Sequence, residues 1–524
     1  MFSTHRRGLR VAVGLWTAAG LLLAGSAAAQ AAEAAPAADD LGPQVVRTDE
    51  GPTGYSVTFR YDAPDDVESV QIYGEWTFSQ PETVTCQGCG DARTGAEWQP
   101  GDILAGPWTS QPMTLGEDGI WTFTTPLPSG TFSYGFLHDC ESPTGSGCTR
   151  YPDPANAGWN DDFPTQSQQT LSQVYVPHNP LFETADYSAQ EPLSDDEMGT
   201  LEHLTYASPR SLDPVGEHYV SVYLPRGYDA DRTTPYPTLY LSHGGGGTDT
   251  DWFTQGAAQN IIQSSIDAGD AEDMVVVATN FNGFNSPGTS TSSTQAVTGY
   301  IDDVQNNVIP LIEGRYNVST SSAERAFAGL SAGGFRALNI IFAQPDLFEY
   351  YGIWSSGSSS PIPAGEQLDQ FATINGTVHN GVGLQDWQNN IYPLSIERAE
   401  AIRTSGVDLV EYNVDGIHSW DVWRQLLDDF VDEVAFKKSF VTDVQYAFDA
   451  AEDAGDIRRT EANVLGKHLD IAERLYEHDN DEQAVAQLER FIERLENPST
   501  GSSTDPETAD ELISLAQEAV TTLS

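Results

Sequence analysis

Positive charge is scarce in this chain. Of its 524 residues, 24 are lysine or arginine against 77 aspartate or glutamate, giving a formal net charge of −53 at pH 7. Only Lys437, Lys438 and Lys467 are lysines. A surface of that sign repels nucleic acid and anionic lipid, so neither is expected as a partner. The acid is spread through every region rather than gathered in one tail. That pattern reads as adaptation to high salt, where screening relieves self-repulsion. Cysteine is equally sparse: Cys86, Cys89, Cys140 and Cys148 all fall in the N-terminal third. Thiol catalysis is thereby excluded from the rest of the chain. Beyond the first residues no apolar run is long enough to span a bilayer, so no membrane span is expected.

The opening segment has a leader's grammar. "THRRGLR" supplies a positive start, "VAVGLWTAAGLLLAG" a short apolar stretch and "SAAAQAA" small residues for cleavage. Residues 1–32 therefore read as a secretory signal, with a membrane anchor as the alternative, and the mature protein is expected outside the cell. Arg6 and Arg7 are compatible with twin-arginine export. In an exported protein four cysteines suggest two disulfides, with three possible pairings. The local pairs Cys86–Cys89 and Cys140–Cys148 are favoured. A four-cysteine zinc site is the alternative, disfavoured because the second spacing is too wide.

Three grammars follow one another. From 41 to 190, runs such as "YSVTFRY", "ESVQIYG" and "TFSYGFLHD" alternate apolar and polar residues between Gly, Pro and Asp turns, the pattern of a β-sandwich. From 200 to 435, apolar strand-like runs ("HYVSVYLP", "PTLYLSHG", "MVVVATN", "RAFAG") alternate with segments of helical period, predicting a parallel sheet covered on both faces. From 436 to 524 strands disappear. Leu465, Leu469, Ala472 and Leu475 share one helical face, and Val485, Leu488, Phe491, Ile492 and Leu495 share another, predicting an α-helical bundle.

"GLSAGG", Gly329 to Gly334, is a weak motif alone in a chain with 47 glycines. Its setting strengthens it: a buried strand, "RAFAG", precedes it and a helix, "FRALNIIFAQP", follows, as a nucleophile elbow requires. Ser331 is then the candidate nucleophile. A serine needs a neighbouring base, and on an α/β-hydrolase that base is a histidine late in the chain. Of ten histidines, His5 falls in the leader, His138 and His178 in the first domain, and His468 and His478 in the helical tail. His203, His218 and His243 precede the serine, and His379 sits within an apolar strand. His418, in "DGIHSWDVW", has the right place. The carboxylate is Asp386, which follows "TVHNGVG"; Asp408 and Asp415 are alternatives. Ala332 and either Gly245 or Gly246, from "LSHGGGG", are the candidate N–H donors to an oxyanion. Trp252, Trp387 and Trp420 are candidate pocket walls. No cofactor is required.

Resemblances sharpen these readings. "YPTLYLSHGGGG", "AERAFAGLSAGG" and "GIHSWDVWRQLL" resemble the bacterial esterase family of the α/β-hydrolase superfamily that includes enterochelin esterases, feruloyl esterases and mycolyltransferases. The resemblance implies a Ser331–His418–Asp386 triad and a two-step acyl transfer. Its preferred substrate is a feruloyl or acetyl ester on plant polysaccharide, with a siderophore trilactone second and acyl transfer third. A non-catalytic glycan-binding surface protein is the reading from another class. "GEWTF", "DGIWTFT" and "LPSGTFSYGF" resemble the early-set, immunoglobulin-like module of such enzymes. That implies a glycan-binding role for Trp76, Trp98, Trp108 and Trp159, against the more common one of packing. "AVAQLERFIERLE" and "ADELISLAQ" resemble a helical domain found on secreted hydrolases, implying an accessory role. Nothing in the sequence decides the oligomeric state.

Overall fold

The computed structural model describes residues 41–524, except 160–170, most of 438–454, 477–480, 498–503, Ser524 and the single positions 87, 107, 143, 184, 195 and 358. The leader expected at 1–32 lies outside the described residues.

An eight-stranded sheet organises the centre of the chain. Its strands are β1 (Thr200–Leu212), β2 (Val215–Leu224), β3 (Thr238–Ser242), β4 (Val275–Thr279), β5 (Arg325–Leu330), β6 (Tyr350–Trp354), β7 (Thr377–Gly383) and β8 (Asp408–Val414). Their order is β1-β2-β4-β3-β5-β6-β7-β8. Pairings from β4 to β8 are parallel, while β1–β2 and β2–β4 are antiparallel. The sheet is therefore mixed, not wholly parallel as the sequence suggested. The missed strand, β1, is an edge strand whose exposed residues blur the apolar alternation.

Burial on both faces explains the run of apolar residues in β3 and β4. Alternate residues point to opposite sides. Tyr240, Val275, Val277 and Phe327 enter one core with Leu338 and Ile341 of helix α2 (Ala332–Ala343) and Ile402 of α3 (Ile391–Arg403). Leu239, Leu241, Val276 and Ala328 enter the other, with Ile261 and Ile262 of α1 (Ala258–Ala268) and Leu426 and Phe430 of α4 (Trp420–Glu433).

The N-terminal region holds a four-stranded and a five-stranded antiparallel sheet. Tyr55, Val57 and Phe59 of the first pack with Ile72, Phe132 and Phe136 of the second in one core. Trp76 and Trp98 are buried in that core, which corrects any sugar-stacking role for them. Trp159 meets Phe253 of the central region edge-on at 5.9 Å. The cysteines form the two local disulfides, Cys86–Cys89 and Cys140–Cys148, so the zinc alternative falls. Toward the C-terminus, helices Arg459–Tyr476, Asp481–Glu496 and Pro506–Leu523 share buried Leu465, Leu469, Leu488, Phe491, Leu495 and Leu512. Among the described residues no helix is long and apolar enough to cross a membrane.

A polar seam joins the first two regions. Arg424 of α4 is fully buried, donating from Nε and Nη2 to the Gln255 carbonyl at 3.0 and 2.7 Å and from Nη1 to the Thr131 carbonyl at 3.0 Å. Gln255 reaches back with its amide to the Leu171 carbonyl, and Gln173 donates to the Gln255 carbonyl. The Trp387 indole donates to the Val84 carbonyl at 2.8 Å. Buried carbonyls that would otherwise lack partners are satisfied across the boundary.

Candidate active site

Ser331 stands between β5 and α2 in a conformation few residues adopt, with φ 53° and ψ −111°. Such backbone costs of order 1–3 kcal/mol and persists only where surroundings enforce it. Here its N–H donates to the Trp354 carbonyl of β6 at 2.8 Å. The motif's glycines are explained by close approach. A Cβ on Gly329 would lie 2.5 Å from the Gly333 carbonyl carbon, and one on Gly333 would lie 2.5 Å from the Ser242 oxygen. Any side chain at either position would force β3, β5 and α2 apart.

The base and acid arrive on loops that lock together. After β7, Gln385 donates through its N–H to the Gly416 carbonyl at 2.9 Å, and Gly416 returns a bond to the Gln385 side-chain oxygen at 2.7 Å. His418 Nδ1 lies 2.7 Å from Asp386 Oδ2, and its Nε2 lies 3.0 Å from Ser331 Oγ. An ionised carboxylate only accepts, so Nδ1 carries the proton and Nε2 is left to accept from the serine. Asp386 is fully buried. The alternatives sit elsewhere: Asp408 accepts from Thr377 at the start of β8, and exposed Asp415 accepts from Gln385. The structure thus brings Ser331, His418 and Asp386 into one hydrogen-bonded line.

Ala332 is the first residue of α2, where backbone N–H groups have no partner within the helix and the dipole favours negative charge. Across from it, a turn closes from the Gly247 N–H to the Gly244 carbonyl at 3.2 Å. Gly245 borders the cavity together with Gly244 and Gly247. Gly246 is not among the lining residues and takes the turn's left-handed position, φ 80°, which favours Gly245 of the two candidates. Just before the turn, His243 is fully buried and held near a pKa of about 4 by that burial, hence neutral. Its Nδ1 bonds the Gly244 carbonyl at 2.7 Å, and Nε2 faces Asn280, which donates to Asp249.

The triad opens into a cavity of about 490 Å³. Trp420 lines it, as expected, and so does Trp423, one helical turn on, whose ring meets the His418 imidazole edge-on at 4.9 Å. Spacing i, i+3 at the start of α4 was the signal for Trp423. Trp252 does not reach the cavity: it is fully buried, donating to the Ser242 carbonyl at 3.1 Å and packing against Trp354 and Trp420. Trp387 is also displaced, held in the seam by Val84. An indole satisfied by a backbone carbonyl serves the core as readily as a pocket, so residue type alone could not separate these tryptophans.

Sequence reasoning missed the opposite wall apart from Trp108, which it singles out as a candidate sugar-stacking residue. Tyr73, Glu75, Thr77, Leu104, Trp108 and Arg150 of the N-terminal region border the same cavity. Buried Glu75, whose pKa burial raises, accepts from the Ser133 N–H at 2.8 Å. Asp251, also on the lining, is raised to about 7 by burial, with Asp249 adding to the shift.

With the geometry in place, the relatives are informative. Residues 214–433 match the family model described as putative esterase, and residues 441–521 match the FIMAH domain. An endo-1,4-beta-xylanase/feruloyl esterase of Xylanibacter ruminicola is 30% identical over 217 residues, 40% of this chain and 28% of that protein. Endo-1,4-beta-xylanase Y of Acetivibrio thermocellus is 28% identical over 210 residues, 38% of this chain and 16% of that protein. The chain thus spans under a third of the length of these curated relatives. Among solved structures, enterochelin esterase from Shigella flexneri aligns with 75% of this chain and 95% of its own, at 16% identity and a TM-score of 0.46. These matches support an ester hydrolase of the esterase family in the central region, with a FIMAH match behind it.

Proposed function

We propose that the protein is an exported serine carboxylesterase releasing feruloyl or acetyl groups from plant polysaccharide through an acyl-enzyme on Ser331. The observation that carries this reading is the line Ser331 Oγ, His418 Nε2, His418 Nδ1, Asp386 Oδ2, with separations of 3.0 and 2.7 Å, at the foot of an open cavity. Ser331 attacks the ester carbonyl while His418 takes its proton, and Asp386 steadies the imidazolium. Charge on the carbonyl oxygen meets the Ala332 N–H, with a Gly245 N–H opposite. His418 returns the proton to the departing alcohol, and water repeats the sequence to release the acid.

Similarity to a xylanase/feruloyl esterase supports an aromatic acyl group on xylan. Trp420 and Trp423 offer that planar group edges and faces to pack on. The leader-like 1–32 segment and the two disulfides support export. The test is purified protein with methyl ferulate, acetylated xylan and a catecholate trilactone, each repeated with Ser331→Ala. Methyl ferulate or acetylated xylan turns over, and the variant lowers kcat by ~10³-fold or more. Turnover of the trilactone alone would replace the substrate class, and a variant keeping most activity would remove Ser331 from the mechanism.

A further inference from the structure

The two walls of the cavity differ in charge. Arg150 is the one arginine or lysine among the lining residues. In a chain where carboxylates outnumber cations 77 to 24, many of the described arginines find an acid: Arg47 pairs with Asp49, Arg60 with Asp118, Arg93 with Asp102 and Arg226 with Asp267. Among the described residues Arg150 has no ion-pair partner. Its guanidinium instead lies 4.5 Å from the centre of the Tyr73 ring, and Nη2 donates to the Tyr73 hydroxyl at 3.2 Å. Among the described residues, Nη2 alone of its nitrogens donates a hydrogen bond, out of five N–H donors.

This rim is braced. Arg150 follows the Cys140–Cys148 loop by two residues and pairs with Leu137 in a short ladder. Cys140, Leu137 and Tyr73 share a small apolar cluster with Trp108 and Cys148. Trp108 packs on Tyr73 at 5.3 Å and borders the cavity. The acids of the lining lie deeper: Glu75 and Asp251 are 8% and 5% exposed, whereas Arg150 is exposed at the mouth. Trp420 and Trp423 belong to the triad's own wall, and Tyr73, Trp108 and Arg150 to the N-terminal one.

We propose that Arg150, with Tyr73 and Trp108, forms a subsite for a carboxylate-bearing sugar in the alcohol half of the substrate. The guanidinium takes the carboxylate through paired N–H donors, and the aromatic rim packs on the sugar ring. A local cation is needed here, because the protein's own field repels an acidic glycan. The assignment rests on the esterase reading above, and its test separates the two. Two ferulate esters are compared, one of a neutral xylo-oligosaccharide and one of the same oligosaccharide bearing a glucuronosyl residue. The acidic ester has the lower KM at low ionic strength, an advantage that fades with salt. Arg150→Ala cuts the preference by about tenfold, chiefly through KM, and Arg150→Lys restores part of it. An equal loss on both esters, or an unchanged preference, overturns the subsite. Calorimetric titration of the Ser331→Ala protein with the ester-free glucuronosyl oligosaccharide gives the second readout. Binding that depends on Arg150 upholds the subsite even where no ferulate is released. Ferulate release without such binding upholds the esterase and removes the subsite.

Discussion

The cavity's two walls were built by different rules. On the hydrolase side each functional group sits where the chain leaves a strand: Ser331 after β5, Asp386 after β7 and His418 after β8. A parallel sheet gathers such positions along one edge, so the triad is a consequence of topology. On the N-terminal side Tyr73, Glu75, Trp108 and Arg150 come from three separate stretches and meet the cavity only because two domains are docked. Catalytic chemistry is therefore local to one fold, while the shape and charge of the mouth are properties of the interface.

Removing Arg424 tests that division most severely. It is buried among carbonyls of both regions, and Glu75 beside it has its raised pKa partly offset by the guanidinium. Arg424→Met leaves three buried bonds unmade and the Glu75 charge uncompensated, a loss of ~3–5 kcal/mol. Urea denaturation followed by calorimetry checks this. The expected outcome is a lower midpoint and separation of one thermal transition into two. A single transition at the wild-type temperature would mean that the walls are held together by apolar packing instead.

The same division explains what the sequence disclosed. Ser331, His418 and Asp386 were readable because an elbow, a late histidine and a carboxylate after a strand are each signalled by a few neighbouring residues. The apolar runs of β3 to β7 announced their burial just as directly. Trp252 and Trp387 were misplaced because their roles depend on what approaches from elsewhere, the Ser242 carbonyl in one case and Val84 in the other. Gly246 was indistinguishable from Gly245 until the turn gave one of them a positive φ. β1 lacked a clear pattern because an edge strand is half solvated, and the N-terminal wall lay more than a hundred residues from the chemistry it shapes.

Asp251 sharpens the comparison from the hydrolase side, since it lies on the cavity lining but its shift comes chiefly from burial within its own wall. Its pKa rises from an ordinary carboxylate value to about 7, so folding takes up a proton. Its contribution to stability is full below about pH 4 and is lost as pH climbs toward and through 7. At about 1.4 kcal/mol per pKa unit, the whole window is worth a few kcal/mol at most. Asp251→Asn flattens the pH dependence and stabilises the protein by ~2 kcal/mol at pH 8 relative to pH 4. Urea midpoints across that range provide the check. An unchanged slope would place the pH dependence in Asp421 and Asp428, raised to about 6 and about 7 on α4.

Trp387→Phe is the finest probe, because Trp387 adjoins Asp386 in the chain and touches the N-terminal region through one hydrogen bond to the Val84 carbonyl and through packing on Val84, Ile103 and Ala105. Phenylalanine keeps an aromatic ring against Tyr392, which Trp387 meets edge-on at 5.5 Å, and against Val84, Ile103 and Ala105, and removes the bond to the Val84 carbonyl. The expected loss is about 1 kcal/mol of stability. Asp386 has its own anchors: its N–H donates to the Gly383 carbonyl at 3.0 Å, and its carbonyl accepts from the Tyr392 N–H at 2.8 Å. For that reason kcat on a small aryl ester falls less than about twofold. A tenfold fall in kcat with stability intact would show that the N-terminal region holds the acid as well as closing the mouth, and would move part of the catalytic geometry into the interface.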